Sequence, residues 1–128
     1  VTGKTLYSIL HRIMDLTVTY EPLGNILGYY NINFRIKSIH LNSFADESLY
    51  PFICAHELGH AVLHPRISTP FLKKNTLFSI DKIERQANTF AVELLLPDDY
   101  LELHPDINFI NLAISQCIPS GLELLKTL

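Results

Sequence analysis

The chain has 128 residues, 48% hydrophobic and 18% charged, which is one domain's worth with enough apolar side chains for a real core. A net charge of −3 leaves no basic footprint and argues against direct nucleic-acid binding. Two cysteines, Cys54 and Cys117, are too few for a disulfide framework; no apolar run reaches membrane-span length and no signal peptide is visible, so a reduced cytoplasm is the expected compartment.

Taken in order, Thr5–Leu16 carries Leu6, Ile9, Leu10 and Ile13 on one helical face and reads as a short amphipathic helix. Val18–Tyr20 is a strand candidate stopped by Pro22 and Gly24. Ile26–Ile32 and Arg35–Leu41 read as the strands of a hairpin that turns over Asn31–Phe34, with alternation too imperfect to set a register.

Ser48–His64 reads as a helix containing His56-Glu57-Leu58-Gly59-His60, an HExxH motif. Residues four apart stack on one helix face, so His56 and His60 can close on one metal ion. Glu57, one step along, can reach a water on that ion without binding it, and this trio is what a zinc hydrolase needs. Ala55, Leu58 and Val62 share another face, which is expected to pack while the imidazoles face away. Gly59 costs about 1 kcal/mol relative to alanine inside a helix, so a neighbouring element is expected to approach closely there. His64 continues the four-residue spacing but lies about 12 Å of helix rise beyond His56. With Pro65 next, it reads as a helix-end residue whose loss leaves zinc binding nearly unchanged.

A connector, Arg66–Ile80, is long enough to be functional. Asp81–Leu96 is the next helix, capped by Ser79 or Asp81 and stopped by Pro97. Ile83, Ala87, Phe90, Ala91 and Leu94 form its apolar stripe, with Glu84 and Asn88 on the stripe's edge and Glu93 on the opposite side. A ligand must point toward the packed neighbour, which selects Glu84 as third metal ligand and Asn88 as the partner that orients a histidine. Tyr100–Leu128 reads as two short helices broken near Pro119 and Gly121.

The paired stretches CAHELGHAVLHP (Cys54–Pro65) and IERQANTFAVELLLP (Ile83–Pro97) resemble the ImmA/IrrE family of metallopeptidases, with similar order and spacing from about Gly28 through Pro97. The resemblance implies His56, His60 and Glu84 as zinc ligands and Glu57 as general base. It implies an α+β, minigluzincin-like fold: a small antiparallel sheet beside the metal-bearing helices, with a short helical C-terminal tail. On that reading residues 1–128 are one metallopeptidase-like domain, with a catalytic core over about 1–97 and a tail over 98–128. Known members include proteases that cleave helix-turn-helix repressors of phages and mobile elements, so the implied partner is such a protein, with no nucleic acid and no membrane. Many relatives carry further domains, and this chain stops soon after its tail.

The expected reaction is therefore peptide-bond hydrolysis, with Glu57 moving the proton of the attacking water to the leaving amine. Tyr29, Tyr30, Tyr50, Tyr100 and His104 are all candidates for stabilising the oxyanion, and the sequence does not rank them. An extended substrate would add to the sheet edge through main-chain bonds. The alternative is a zinc-site module that captures a repressor or antitoxin without cutting it, although such a binder has no need of Glu57.

Overall fold

The computed structural model describes residues 15–69 and 71–126. The helix expected over Thr5–Leu16 lies outside them except for its last two residues, of which Leu16 instead opens a strand. Three strands come first: β1 (Leu16–Glu21), β2 (Ile26–Asn33) and β3 (Ile36–Asn42). A two-residue strand, β4 (Leu72–Lys73), completes a sheet of order β1-β3-β2-β4.

The fold is α+β, as expected. Its sheet is mixed: β2 pairs antiparallel with β3 and β4, while β1 runs parallel to β3, a pairing that the expectation of an antiparallel sheet did not contain. The chain leaves β1 through residues 22–25 and enters β2 on the far side of β3. Buried Asn42 fastens that crossing. Its Nδ2 donates to the Gly24 and Ile26 carbonyls, both at 2.9 Å, and its Oδ1 accepts from the Leu23 and Phe44 amides. The β2–β3 hairpin closes on Phe34 and Arg35 rather than over Asn31–Phe34. Both have positive φ, 50° and 71°, which matches the twist of a two-residue hairpin without the usual Asn-Gly signal.

A 3₁₀ turn at Glu47–Leu49, capped by the Asp46 carboxylate on the Ser48 amide, leads into α1 (Tyr50–Leu63). Pro51 fits the first helical turn, where its missing N–H is no loss. The helix ends at His64, ahead of Pro65. The one-sided packing expected for it is corrected: every residue from Phe52 to Ala61 is buried, whereas Val62 is 43% exposed. The reason is position. One side of α1 lies on β2 and β3, and the other receives α2 (Lys82–Leu95).

The packed face of α2 is rotated from the expected stripe. Ala87, Ala91, Val92 and Leu95 are buried together with Glu84 and Asn88, while Leu94 is 40% exposed. Two polar side chains thus sit within the packed face instead of on its edge. Neither expected cap bonds the helix start; the Ser79 hydroxyl accepts from the Asp81 amide instead.

The C-terminal part comprises α3 (Asp98–Leu103), α4 (Phe109–Ser115) and a 3₁₀ turn at Leu122–Leu125. The break between the two helices falls at residues 104–108, and Gly121, with φ 99°, opens the final turn. Gln116 Nε2 donates to the Leu95 carbonyl at 2.7 Å, and buried Lys126 bonds Glu93 and Asp98 at 2.6 and 2.7 Å. No helix among the described residues is long and apolar enough to cross a membrane.

Candidate metal centre

Close helix packing builds the site. A Cβ on Gly59 would lie 3.1 Å from Ala87 Cα and 3.2 Å from both Ala87 O and Phe90 Cβ, so the glycine lets α2 lie almost backbone-to-backbone on α1. The close approach expected from this glycine is present. It brings Glu84 and Asn88 of α2 over His56 and His60 of α1.

His56, Glu57 and His60 are almost wholly buried, and one ligand atom from each lies within 4.8 Å of the others. From α2, the two Glu84 oxygens reach the same imidazoles: Oε2 is 3.1 Å from His56 Nε2, and Oε1 is 2.9 Å from His60 Nε2. Two carboxylates therefore face two histidines, and their surroundings differ. Burial works against the Glu84 charge, but its close contacts with His56 and His60 outweigh it and bring its pKa to about 2. Burial dominates at Glu57, helped by the neighbouring Glu84 charge and opposed by His56, and pushes its pKa up to about 7. The Tyr30 backbone amide faces Glu57, yet neither carboxylate oxygen has a hydrogen-bond partner of good geometry.

Tautomers follow from fixed neighbours. Asn88 Nδ2 donates to the Leu77 carbonyl at 2.7 Å, which turns its Oδ1 to His56 Nδ1, also at 2.7 Å. An amide oxygen only accepts, so His56 Nδ1 carries the proton. A neutral His56 then presents a bare Nε2 to Glu84 Oε2, and that contact closes only if a proton or a metal cation sits between them. Burial disfavours the imidazolium, while Glu84 and Glu57 draw the His56 pKa above its ordinary value. His60 is shifted the other way by burial, against the pull of Glu84. Its Nε2 and Glu84 Oε1 are buried without hydrogen-bond partners, as are both Glu57 oxygens. Orphaned donor atoms converging around a deficit of positive charge fit a divalent cation with nitrogen and oxygen preferences.

Other sequence candidates are engaged elsewhere. The Tyr29 hydroxyl faces Glu21 and its ring stacks on His40; Tyr30 donates to the Pro65 carbonyl, Tyr50 to that of Asn42, and Tyr100 meets Ser115. His104 lies against the Tyr100 ring. An extended substrate was expected on a sheet edge; the side of β2 beyond its short pairing with β4 carries chain of its own, where the Thr69 amide donates to the Tyr30 carbonyl and the Ser68 hydroxyl accepts from the Ile32 amide. Glu93 pairs with Lys126, away from the centre. Cys54 is a buried core residue whose thiol pKa is raised by burial, first, and by Glu57. What the sequence reading missed is a contact of His64 with His60, whose signal was the continued four-residue spacing.

Comparison with known proteins agrees with this geometry. Residues 12–114 match the model of the IrrE N-terminal-like domain, a peptidase family. The chain is 48% identical over 124 residues to "Uncharacterized immunity region protein 2" of Bacillus phage phi105, covering 95% of this chain and 78% of that one. It is also 41% identical over 63 residues to "Metallopeptidase ImmA" of Bacillus subtilis (strain 168), a local match covering 49% of this chain and 36% of that protein.

Proposed function

Because this chain belongs to the IrrE N-terminal-like domain family of peptidases, we propose that it is a zinc-dependent endopeptidase in which His56, His60 and Glu84 hold the ion and Glu57 is the general base. The observation that carries the reading is the buried convergence of His56 Nε2, His60 Nε2 and the Glu84 carboxylate, with His60 Nε2 and Glu84 Oε1 left without hydrogen-bond partners. When bound, zinc polarises the scissile carbonyl and lowers the pKa of its water. The chain's own residues do the rest. Asn88 holds His56 in the tautomer that leaves Nε2 free. Glu57, with both oxygens unclaimed, takes the proton of the attacking water and delivers it to the nitrogen of the breaking C–N bond. Its burial keeps the transfer out of bulk solvent.

The substrate we propose is a helix-turn-helix repressor of a phage or mobile element. The name of the phage relative supports this through the words "immunity region", and that of the second through "metallopeptidase". We take residues 1–128 as one domain with the core ending near Pro97; the bonds of Gln116 and Lys126 to α2 and Asp98 favour a tail that belongs to that unit.

The test combines zinc-loaded protein with candidate repressors and reads discrete fragments by mass spectrometry. Glu57→Gln should retain zinc and lose cleavage. Glu84→Gln should lose zinc affinity strongly while Glu93→Gln keeps it. Parent-like zinc binding in Glu84→Gln overturns the ligand set; tight repressor binding without fragments would favour a capture module instead.

A further inference from the structure

His64 stands just past the C-terminal end of α1, its backbone amide bonded to the His60 carbonyl at 2.7 Å and its carbonyl accepting from the Ile67 amide. Its ring reaches back to the centre: His64 Nδ1 lies 3.0 Å from His60 Nδ1. On its other side, His64 Nε2 lies 2.8 Å from Gln86 Oε1 of α2. Resting on the metal-centre reading above, we propose that His64 is a positioning residue, accepting at Nδ1 the hydrogen bond of His60 Nδ1–H and donating Nε2–H to Gln86, so that His60 keeps a bare Nε2 toward Glu84.

Two neutral imidazole nitrogens facing each other share one hydrogen, so only two arrangements exist. In the first, the proton lies on His60 Nδ1; His64 Nδ1 accepts, and His64 Nε2–H finds the Gln86 carbonyl oxygen. In the second, His64 Nδ1–H donates, which forces the proton of His60 onto Nε2, where it would have to meet Glu84 Oε1. It would also leave His64 Nε2 bare against Gln86 Oε1 at 2.8 Å, and an amide oxygen only accepts. The geometry therefore favours the first arrangement, the one a metal-binding imidazole needs. It also gives the centre a symmetry of roles. Asn88, fixed by the Leu77 carbonyl, sets the tautomer of His56; His64, fixed by Gln86, sets that of His60. Both supports draw on α2, so the helix that supplies Glu84 also orients the two histidines.

This reverses the expectation that His64 is neutral for metal binding. Zinc affinity should be measured by competition with a chromogenic chelator for the parent, His64→Ala, His64→Gln, Gln86→Ala and His56→Ala. Loss of a partner of this kind typically costs about 10–100-fold in affinity, expected for His64→Ala, with much of it regained in His64→Gln because an amide oxygen restores an acceptor. Gln86→Ala should show a smaller loss. Long-range ¹⁵N–¹H NMR of the zinc-loaded parent, which needs no variant to fold, should find the proton of His60 on Nδ1 and that of His64 on Nε2. Zinc affinity of His64→Ala within about two-fold of the parent overturns the proposal, as does a His64 protonated at Nδ1. If His56→Ala also binds like the parent, the failure lies with the metal-centre reading rather than with His64.

Discussion

Gly59→Ala tests the packing on which the whole centre depends. An added methyl would lie 3.1–3.2 Å from Ala87 Cα, Ala87 O and Phe90 Cβ. Carbon atoms pack comfortably at about 3.5 Å or more, so the shortfall is a few tenths of an ångström. Two of the three obstacles are backbone atoms that cannot rotate away, so α2 itself must move. Overpacking of this kind costs about 1–3 kcal/mol, against about 1 kcal/mol returned by replacing a helical glycine with alanine. We expect a net loss of about 1 kcal/mol, which for a chain of this length lowers the Tm by about 3–6 °C. Because Glu84 and Asn88 lie on the face of α2 that would be pushed away, zinc affinity should fall with stability. The assay is urea unfolding of chelator-treated protein at unchanged m-value, paired with zinc competition. A variant stabilised by about 1 kcal/mol, the value of helix propensity alone, with parent-like zinc affinity, would refute the close-approach argument.

In chelator-treated protein, Glu57 should make stability fall as pH rises. Its folded pKa of about 7 lies above the ordinary 4.5, so between these values the folded state holds a proton that the unfolded chain releases. Glu57→Gln should match the parent near about pH 4 and exceed it by about 3 kcal/mol near about pH 8, whereas parallel stability curves would show that Glu57 is not so perturbed. Asn88→Ala should weaken zinc binding about 10–100-fold without altering cleavage specificity; unchanged affinity in a competition assay would remove Asn88 from the support of His56. Lys126→Met keeps the buried stem and removes a charge whose partners, Glu93 and Asp98, remain 40% and 79% exposed, so it should cost less than about 1 kcal/mol in denaturant unfolding. A loss above about 3 kcal/mol would mean that this ion pair anchors the C-terminal segment.

Helical periodicity alone determined a good deal. Spacing of four places His56 and His60 on one face in any tertiary setting, and Glu84 and Asn88 fall on one side of their helix for the same reason. Gly59 announced a close neighbour because its cost demanded an explanation, and Pro65 and Pro97 marked the helix ends because a residue before proline avoids the helical region. The α+β class was legible from these local signals together with the family likeness. What periodicity could not decide was how the elements meet. The burial of α1 on all sides depends on its lying between the sheet and α2, and a buried helix has no polar face to read. The parallel β1–β3 pair depends on a crossing fastened by Asn42, some twenty residues along the chain at the end of β3. Phe34 and Arg35 occupy left-handed positions that neither residue favours, because strand register rather than local preference sets that turn. The tautomer of His60 was the least legible of all. It rests on His64 lying beyond the helix end and on Gln86 from another helix, and a proton's position follows from contacts that exist only once α1 and α2 have packed.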